Sequence, residues 1–224
     1  MQQFLWAIFP FLMVTVFIVG HLYRYNANQL EWTAKSSEFL EKKSLRWGSM
    51  MFHIGILMVF GGHVVGLLVP KSVMESLGVS ESMYHAGAVY GGGLAGIITL
   101  VGIFLLLNRR LMNKRVRGTS DFSDFLTVVF ISLIVLIGIY NTLIGNQLHP
   151  AFDYRETISP WFRSLLTFTP DPFLMSEVPL GFQMHIVISF ALIGIWPFTR
   201  LVHVWSVPLT YFRRSYILYR KRAN

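Results

Sequence analysis

The chain has 224 residues, of which 54% are hydrophobic and only 13% are charged, and its mean hydropathy is +0.53. Soluble domains carry about 25% charged residues, so the composition excludes an ordinary soluble protein. The absence of cysteine excludes disulfides and thiolate-ligated haems or iron–sulfur clusters.

Five long apolar segments follow one another along the chain. Their uncharged stretches cover residues 4–23, 47–69, 86–107, 125–145 and 179–199, and the fifth span is expected to end at about residue 202. Each approaches or exceeds the length of about 20 residues that a helix needs to span the hydrocarbon core. The first lacks the basic start and small-residue cleavage site of a signal peptide, so we expect it to be retained. The pattern predicts an all-α membrane protein with five transmembrane helices in a single domain, 1–224.

The basic residues predict the orientation of these helices. Of the 19 Lys and Arg residues, 16 lie in the loops after the first and third segments or after the fifth, and only Lys71, Arg155 and Arg163 lie in the other two loops. Positive charge stays on the cytoplasmic side during insertion. The N-terminus is therefore expected outside, and the C-terminus with its basic tail, 203–224, in the cytoplasm. The net charge of +8 then reflects topology and not nucleic-acid binding.

The composition of two loops predicts their local structure. Residues 30–47 mix apolar and charged side chains, which predicts a helix lying along the cytoplasmic membrane surface. Residues 146–178 contain four prolines, so regular helix there must be short. The aromatic residues Trp161, Phe162 and Phe168 in this segment suit a position at the membrane–water interface.

Four of the seven histidines lie within or at the ends of the second and fifth segments: His53, His63, His185 and His203. Because these segments run in opposite directions, His53 should lie beside His203 and His63 beside His185, at two depths. The last two histidines in the chain are 18 residues apart and would share one face of a continuous helix, although Pro197 between them should bend it.

Paired imidazoles from opposite helices suit the axial positions of a haem iron. Without cysteine, such haems would be b-type, so the pairs predict two haem b groups, and Gly61 and Gly62 beside His63 leave room for a macrocycle. Zinc is a weaker candidate, because two ligands leave it under-coordinated. Histidines without metal in a proton-coupled transporter are the alternative from a different functional class.

The histidines stand in longer motifs: FHIGIL…GGHVVG (52–66), NRRLMNKRVR (108–117) and PFTRLVHVWSVPLTYFRRSY (197–216). With these motifs the chain resembles, over essentially its whole length, the gamma subunit of respiratory nitrate reductase, a di-haem cytochrome b of the prokaryotic cytoplasmic membrane. The resemblance implies that His53 and His203 ligate an inner haem, and His63 and His185 an outer haem. It also implies that quinol, either menaquinol or ubiquinol, is oxidised near the outer haem. Electrons would pass to an iron–sulfur beta subunit and a molybdenum-containing alpha subunit that reduces nitrate.

The predicted quinol pocket departs from the family pattern. Members often carry a lysine just before the third segment, where this chain has Ala86 within MYHAGA (83–88). The neighbouring His85 is suited to accept the quinol proton, because histidine exchanges protons near neutral pH. An interfacial histidine with its polar tip in water is the alternative. We therefore take Gly62, His63, His85 and Ala86 as candidates for this pocket.

Other polar residues have plausible but less specific roles. Arg109, Arg110 and Arg200 are predicted at the level of the inner haem, where they would pair with propionates. Pairing with lipid phosphate, or a role as topology signal alone, explains these charges equally well. The basic loop 108–117 and the C-terminal RRSYILYRKRAN are the expected docking surface for the cytoplasmic partners. His21 is expected to be an interfacial anchor and His149 to be solvated. A related di-haem cytochrome of another quinone-linked reductase, for sulfite or heterodisulfide, remains the alternative function.

Overall fold

The computed structural model describes residues 1–27 and 40–205, which form helices joined by short turns and contain no strand. Five helices are long and apolar enough to cross a membrane. They are α1 (Phe4–Ala27), α2 (Lys43–Leu68), α3 (Glu81–Met112), α4 (Phe122–Leu148) and a fifth span, Leu180–Phe198, whose α-helical part is α5 (Leu180–Ile195). The prediction of an all-α, five-span membrane protein is confirmed. Most of the predicted surface helix 30–47, and the tail from residue 206 onward, lie outside the described residues.

Helices α2 and α3 are antiparallel and touch through glycine. A Cβ atom on Gly55 would lie 2.6 Å from the backbone nitrogen of Thr99, and one on Gly102 would lie 2.7 Å from Cα of Phe52. Small residues in membrane helices allow this close backbone approach. The contact fixes the part of α2 that carries His53 against α3.

The end of α5 differs from the sequence-based prediction. The α-helix stops at Ile195, and two 3-10 turns follow, Trp196–Phe198 and Arg200–Val204, separated by extended backbone at Thr199. The expectation that His185 and His203 share one face of the same helix is therefore wrong. Proline has no N–H and its ring clashes with the preceding turn, so Pro197 ends the helix rather than bending it.

The two ends of the bundle differ in character. The basic end carries Arg109, Arg110, Asp124 and Arg200, and the long-loop end carries residues 69–80 and 149–179. Helices of the long loop are short, as its prolines predict: Ile158–Leu166 and a 3-10 turn at Pro172–Met175.

Aromatic residues build the core of the long-loop end. Trp161 is only 1% exposed, packs edge-to-face on Trp6 at 5.7 Å between ring centres, and donates Nε1–H to the Trp6 carbonyl at 2.8 Å. The ring therefore belongs to the protein core, and its predicted level at the membrane–water interface stays a prediction. A buried tryptophan needs a partner for its N–H, and the carbonyl in α1 supplies one.

Candidate functional site

The four membrane histidines lie in two facing pairs. The ring centres of His53 and His203 are 6.2 Å apart with the planes at 75°, and those of His63 and His185 are 6.1 Å apart with the planes at 16°. On α2 the two histidines are separated by ten residues, which places the pairs about 15 Å apart along the helix. Helix α2 therefore contributes one imidazole at each of two depths.

Backbone carbonyls set the tautomer of three of these histidines. In each of these rings Nδ1 carries the proton, because that atom donates to the carbonyl of a residue in the preceding turn. The bonds are 2.7–2.8 Å long and join His53 to Ser49, His63 to Val59 and His203 to Arg200. A neutral imidazole with Nδ1–H presents a lone pair at Nε2. Within residues 1–27 and 40–205, nothing hydrogen-bonds to Nε2 of these three rings, which leaves it ready to ligate a metal.

The ring of His185 is held by α4. A Cβ atom on Gly138 would lie 3.0 Å from Cε1 of His185, so the imidazole rests directly on the α4 backbone. Its buried Nδ1 faces the carbonyl of Ile134 at a geometry short of a full hydrogen bond. The fourth ring is thus oriented mainly by packing, whereas the other three are oriented by hydrogen bonds.

The donor set fits a haem better than a lone ion. Among the described residues no group of three or more His, Asp or Glu side chains gathers as ligands for an ion. A metal–imidazole bond of about 2.0 Å on each side, with the ring radii added, separates two ring centres by roughly 6 Å. The observed 6.1 and 6.2 Å would accommodate one metal ion between the two rings of each pair. Cβ positions on Gly61 and Gly62 have no atom within 4 Å, so open space lies beside His63.

An ion-pair cluster holds the turn that carries His203. Arg200 Nε lies 2.8 Å from Asp124 Oδ1, and Asp124 Oδ2 accepts a hydrogen bond from Arg110 at 2.6 Å. The Asp124 side chain is 8% exposed, and a buried carboxylate of this kind requires its charged partners. Since the Arg200 carbonyl also orients the His203 ring, Asp124 connects α4 to that histidine. Sequence reasoning missed Asp124, although its place three residues after Asp121 is the pattern of a capping box.

The three arginines predicted to contact propionates all have carboxylate partners in the protein. Arg110 and Arg200 share Asp124, and Arg109 Nε lies 2.8 Å from Glu41 Oε2. The backbone N–H of Ser44, followed by Arg109, lowers the pKa of Glu41 below its ordinary value. Contacts from these arginines to haem propionates stay a prediction.

The quinol-pocket candidates lie at the long-loop end. His85 is exposed and lines a cavity of about 140 Å³, and Ala86 ends the first helical stretch of α3, before a π-helical turn at Gly87–Gly91. Gly62 and His63 lie on α2. The two remaining histidines lie outside the two pairs and the candidate pocket. His21 donates Nδ1–H to the Phe17 carbonyl at 2.8 Å, and His149 is exposed.

A pair of tyrosines in this cavity was not expected from the sequence. The hydroxyl oxygens of Tyr84 and Tyr154 are 2.7 Å apart. The two residues are 70 positions apart in the chain, and no local pattern announces the contact.

Comparison with known proteins identifies the family. The model of the nitrate reductase gamma subunit family matches residues 2–222. The nitrate reductase gamma chain of Bacillus subtilis is 52% identical over 99% of both chains, and the respiratory nitrate reductase 2 gamma chain of Escherichia coli is 36% identical over 99% of this chain and 98% of its own. A cytochrome b-like subunit of an Hdr-like menaquinol oxidoreductase from Archaeoglobus profundus is 24% identical over 91% of this chain and 59% of its own. The chain therefore belongs to the nitrate reductase gamma subunits and is a multi-pass membrane subunit of a prokaryotic respiratory nitrate reductase.

Proposed function

We propose that this chain binds two haem b groups and passes electrons from membrane quinol to the cytoplasmic iron–sulfur and molybdenum subunits of nitrate reductase. The family is a cytochrome b subunit. The observation that supports two haems in this chain is the pair of imidazole couples, with ring centres 6.1 and 6.2 Å apart. The long-loop end would face outward and the basic end the cytoplasm, as the positive charges predict.

His53 and His203 would hold the inner haem, and His63 and His185 the outer one. A bound haem b supplies a one-electron redox centre whose potential depends on its axial ligands and their surroundings. The carbonyls that accept Nδ1–H fix three of the rings and increase their basicity as ligands. The glycine contact between α2 and α3 keeps His53 at its depth, and Gly138 does the same for His185.

Quinol would bind at the long-loop end, with Gly62, His63, His85 and Ala86 as the candidate pocket. Ala86 has no polar group, so His85 is the residue that would accept a hydrogen bond from a quinol hydroxyl and then its proton. The name of the Archaeoglobus profundus relative, a menaquinol oxidoreductase subunit, supports quinol as the donor.

The partner subunits would dock at the basic end. Arg115 and Arg117 lie on the short helix Lys114–Gly118 between α3 and α4 and are exposed. A cytoplasmic partner with an acidic surface would be attracted and oriented by this charge. The C-terminal sequence RRSYILYRKRAN would extend the same surface, but it lies outside the described residues.

A reduced-minus-oxidised absorption spectrum of membranes containing the assembled complex tests the haem assignment. The wild type should show b-type bands. Replacing His53 or His203 with alanine should remove one component of these bands, and replacing His63 or His185 should remove the other. His149→Ala, at an exposed position, is the matched control and should change neither component.

The results separate the alternatives. A folded chain without b-type bands would reject the cytochrome and favour the proton-coupled transporter. Equal loss of both components from one substitution would contradict the pairing. Copurification with subunits of a sulfite or heterodisulfide reductase, in place of nitrate reductase subunits, would reject the proposed electron acceptor.

A further inference from the structure

The Tyr84–Tyr154 pair lies close to the proposed outer haem site. Tyr84 belongs to α3 and Tyr154 to the loop after α4, and both are half-buried. A Cβ atom on Gly66 would lie 3.0 Å from the Tyr154 hydroxyl oxygen and 3.2 Å from that of Tyr84. Gly66 follows His63 by three residues, about one turn of α2. The two hydroxyl groups therefore lie about one helical turn beyond the imidazole, toward the long-loop end.

A polar cavity continues from the tyrosines toward the surface. Its volume is about 140 Å³, and a water molecule occupies about 30 Å³ in the liquid, so the cavity has room for several waters. The polar residues that line it are Glu81, Tyr84, His85, Asn146, Asp153, Tyr154 and Arg155. Glu81 lines this cavity and its side chain is 60% exposed, so the cavity reaches the solvent at Glu81.

Ion pairs fasten the loop that carries Tyr154 to α3. Arg155 is buried, lies 4.3 Å above the Tyr84 ring and pairs with Asp153 at 2.8 Å and with Glu81. Lys71 adds contacts to Asp153 at 3.5 Å and to Glu156 at 2.9 Å. These groups, with His85, are the titratable and charged side chains around the pair.

The electrostatic surroundings keep Tyr154 neutral. Burial raises the pKa of Tyr154, and the hydrogen bond with Tyr84 raises it further. A neutral hydroxyl group can accept one hydrogen bond while it donates another. The pair therefore has the chemistry of a two-member hydrogen-bonded chain between α2 and the cavity.

We propose that Tyr84 and Tyr154 relay protons from quinol, oxidised at the long-loop end, through this cavity to the outer surface. The proposal rests on the proposed function. Oxidation of quinol to quinone releases two electrons and two protons. His85 accepts each proton from the quinol hydroxyl and releases it to the tyrosine pair. A tyrosine oxygen accepts this proton on a lone pair and gives its own O–H proton to the next oxygen, so both tyrosines end neutral and His85 returns to its starting state. The final acceptor is cavity water or the exposed carboxylate of Glu81.

The experiment compares Tyr84→Phe, Tyr154→Phe and the double variant with Tyr90→Phe in the assembled complex in membranes. Phenylalanine removes one oxygen and keeps the ring, and Tyr90 is the matched control because it lies on α3 and is 77% exposed. Haem reduction by a quinol analogue is followed by stopped-flow absorbance in H₂O and D₂O, across a range of pH. Haem content is measured from the dithionite-reduced spectrum.

We expect the haem content of the Tyr84 and Tyr154 variants to be unchanged. Their haems should be reduced by quinol more slowly, by about tenfold or more, since positioned proton transfer contributes at least that much to a rate. The solvent isotope effect should increase, and a small permeable weak base such as imidazole should restore part of the rate. A purely structural role for the hydroxyl groups predicts neither of the last two effects.

Rates, pH profiles and isotope effects equal to those of Tyr90→Phe would overturn the relay. If the double variant does not assemble, the single variants decide, because each lacks only one oxygen atom. A wild type whose haems are not reduced by quinol would overturn the proposed function together with the relay. Wild-type reduction with unaffected tyrosine variants would overturn the relay alone.

Discussion

The contact between α2 and α3 leads to a quantitative prediction for Gly102→Ala. The new Cβ atom would lie 2.7 Å from Cα of Phe52, whereas carbon atoms in contact prefer about 3.5–4.0 Å. Helix α2 would have to move away by about 1 Å to relieve the overlap. Overpacking of this kind costs about 1–3 kcal/mol. The nearest atoms of Phe52 at the point of contact belong to the backbone and not to the flexible end of a side chain, so a side-chain rotation cannot relieve the overlap.

The assay is thermal unfolding of the purified chain in detergent, together with the haem spectrum. We expect the unfolding midpoint of Gly102→Ala to fall by about 2–12 °C, from about 2–4 °C for each kcal/mol in a protein of this size. The signal of the haem assigned to His53 should weaken more than the other, because His53 follows Phe52 directly in the chain.

Gly92→Ala is the matched control on the same helix. Its Cβ atom would meet Thr142 Cγ2 at 3.8 Å, an ordinary contact. Alanine in a helix interior is better than glycine by about 0.5–1 kcal/mol, so this variant should be at least as stable as the wild type. A midpoint for Gly102→Ala equal to that of Gly92→Ala would refute the close approach of the two backbones.

Three further predictions concern polar groups. Asp124→Asn should destabilise the chain and weaken the haem signal assigned to His203 in the reduced spectrum, and an unchanged signal would show that the ion pairs do not position that ring. Trp161→Phe should lower the free energy of unfolding by about 1–3 kcal/mol, measured in denaturant, because it leaves a buried carbonyl of α1 without its donor; no change would mean that the carbonyl finds another. Burial raises the pKa of Asp153, but hydrogen bonds and charge from Arg155 outweigh it and lower the pKa overall. The stabilisation by this carboxylate is therefore present above its unfolded pKa of about 4 and lost as pH falls through the lower folded value. Unfolding midpoints below about pH 5 should depend on pH less steeply in Asp153→Asn than in the wild type, and equal slopes would contradict this.

The membrane architecture was accessible from composition alone. A run of about 20 uncharged residues can satisfy its backbone in hydrocarbon only as a helix, so five such runs predict five helices regardless of their packing. The approach of His53 to His203 also follows from simple topology, because α2 and α5 run in opposite directions. Their role as haem ligands stays a prediction, as do the orientation of the chain and the quinol pocket.

The path of the chain near His203 was harder to predict. Pro197 signals a disturbance in the helix, but a kink and a complete stop have the same local sequence. The structure ends the α-helix at Ile195 and continues in 3-10 turns. Which of the two occurs depends on partners elsewhere: Asp124 holds Arg200, and Arg24 of α1 donates to the Pro197 carbonyl at 2.5 Å.

The sequence by itself determined that this protein lies in a lipid bilayer, how many helices span it, and which residue types could hold a redox group. Those properties depend on transfer free energies and on backbone hydrogen bonding, which add up along the chain and need no knowledge of neighbours. Only the tertiary structure decided that Trp161 is buried, that Asp124 supports the turn of His203, and that Tyr84 meets Tyr154. Contacts of this kind join residues remote in sequence, and their energies exist only once packing has brought the partners within a few ångströms.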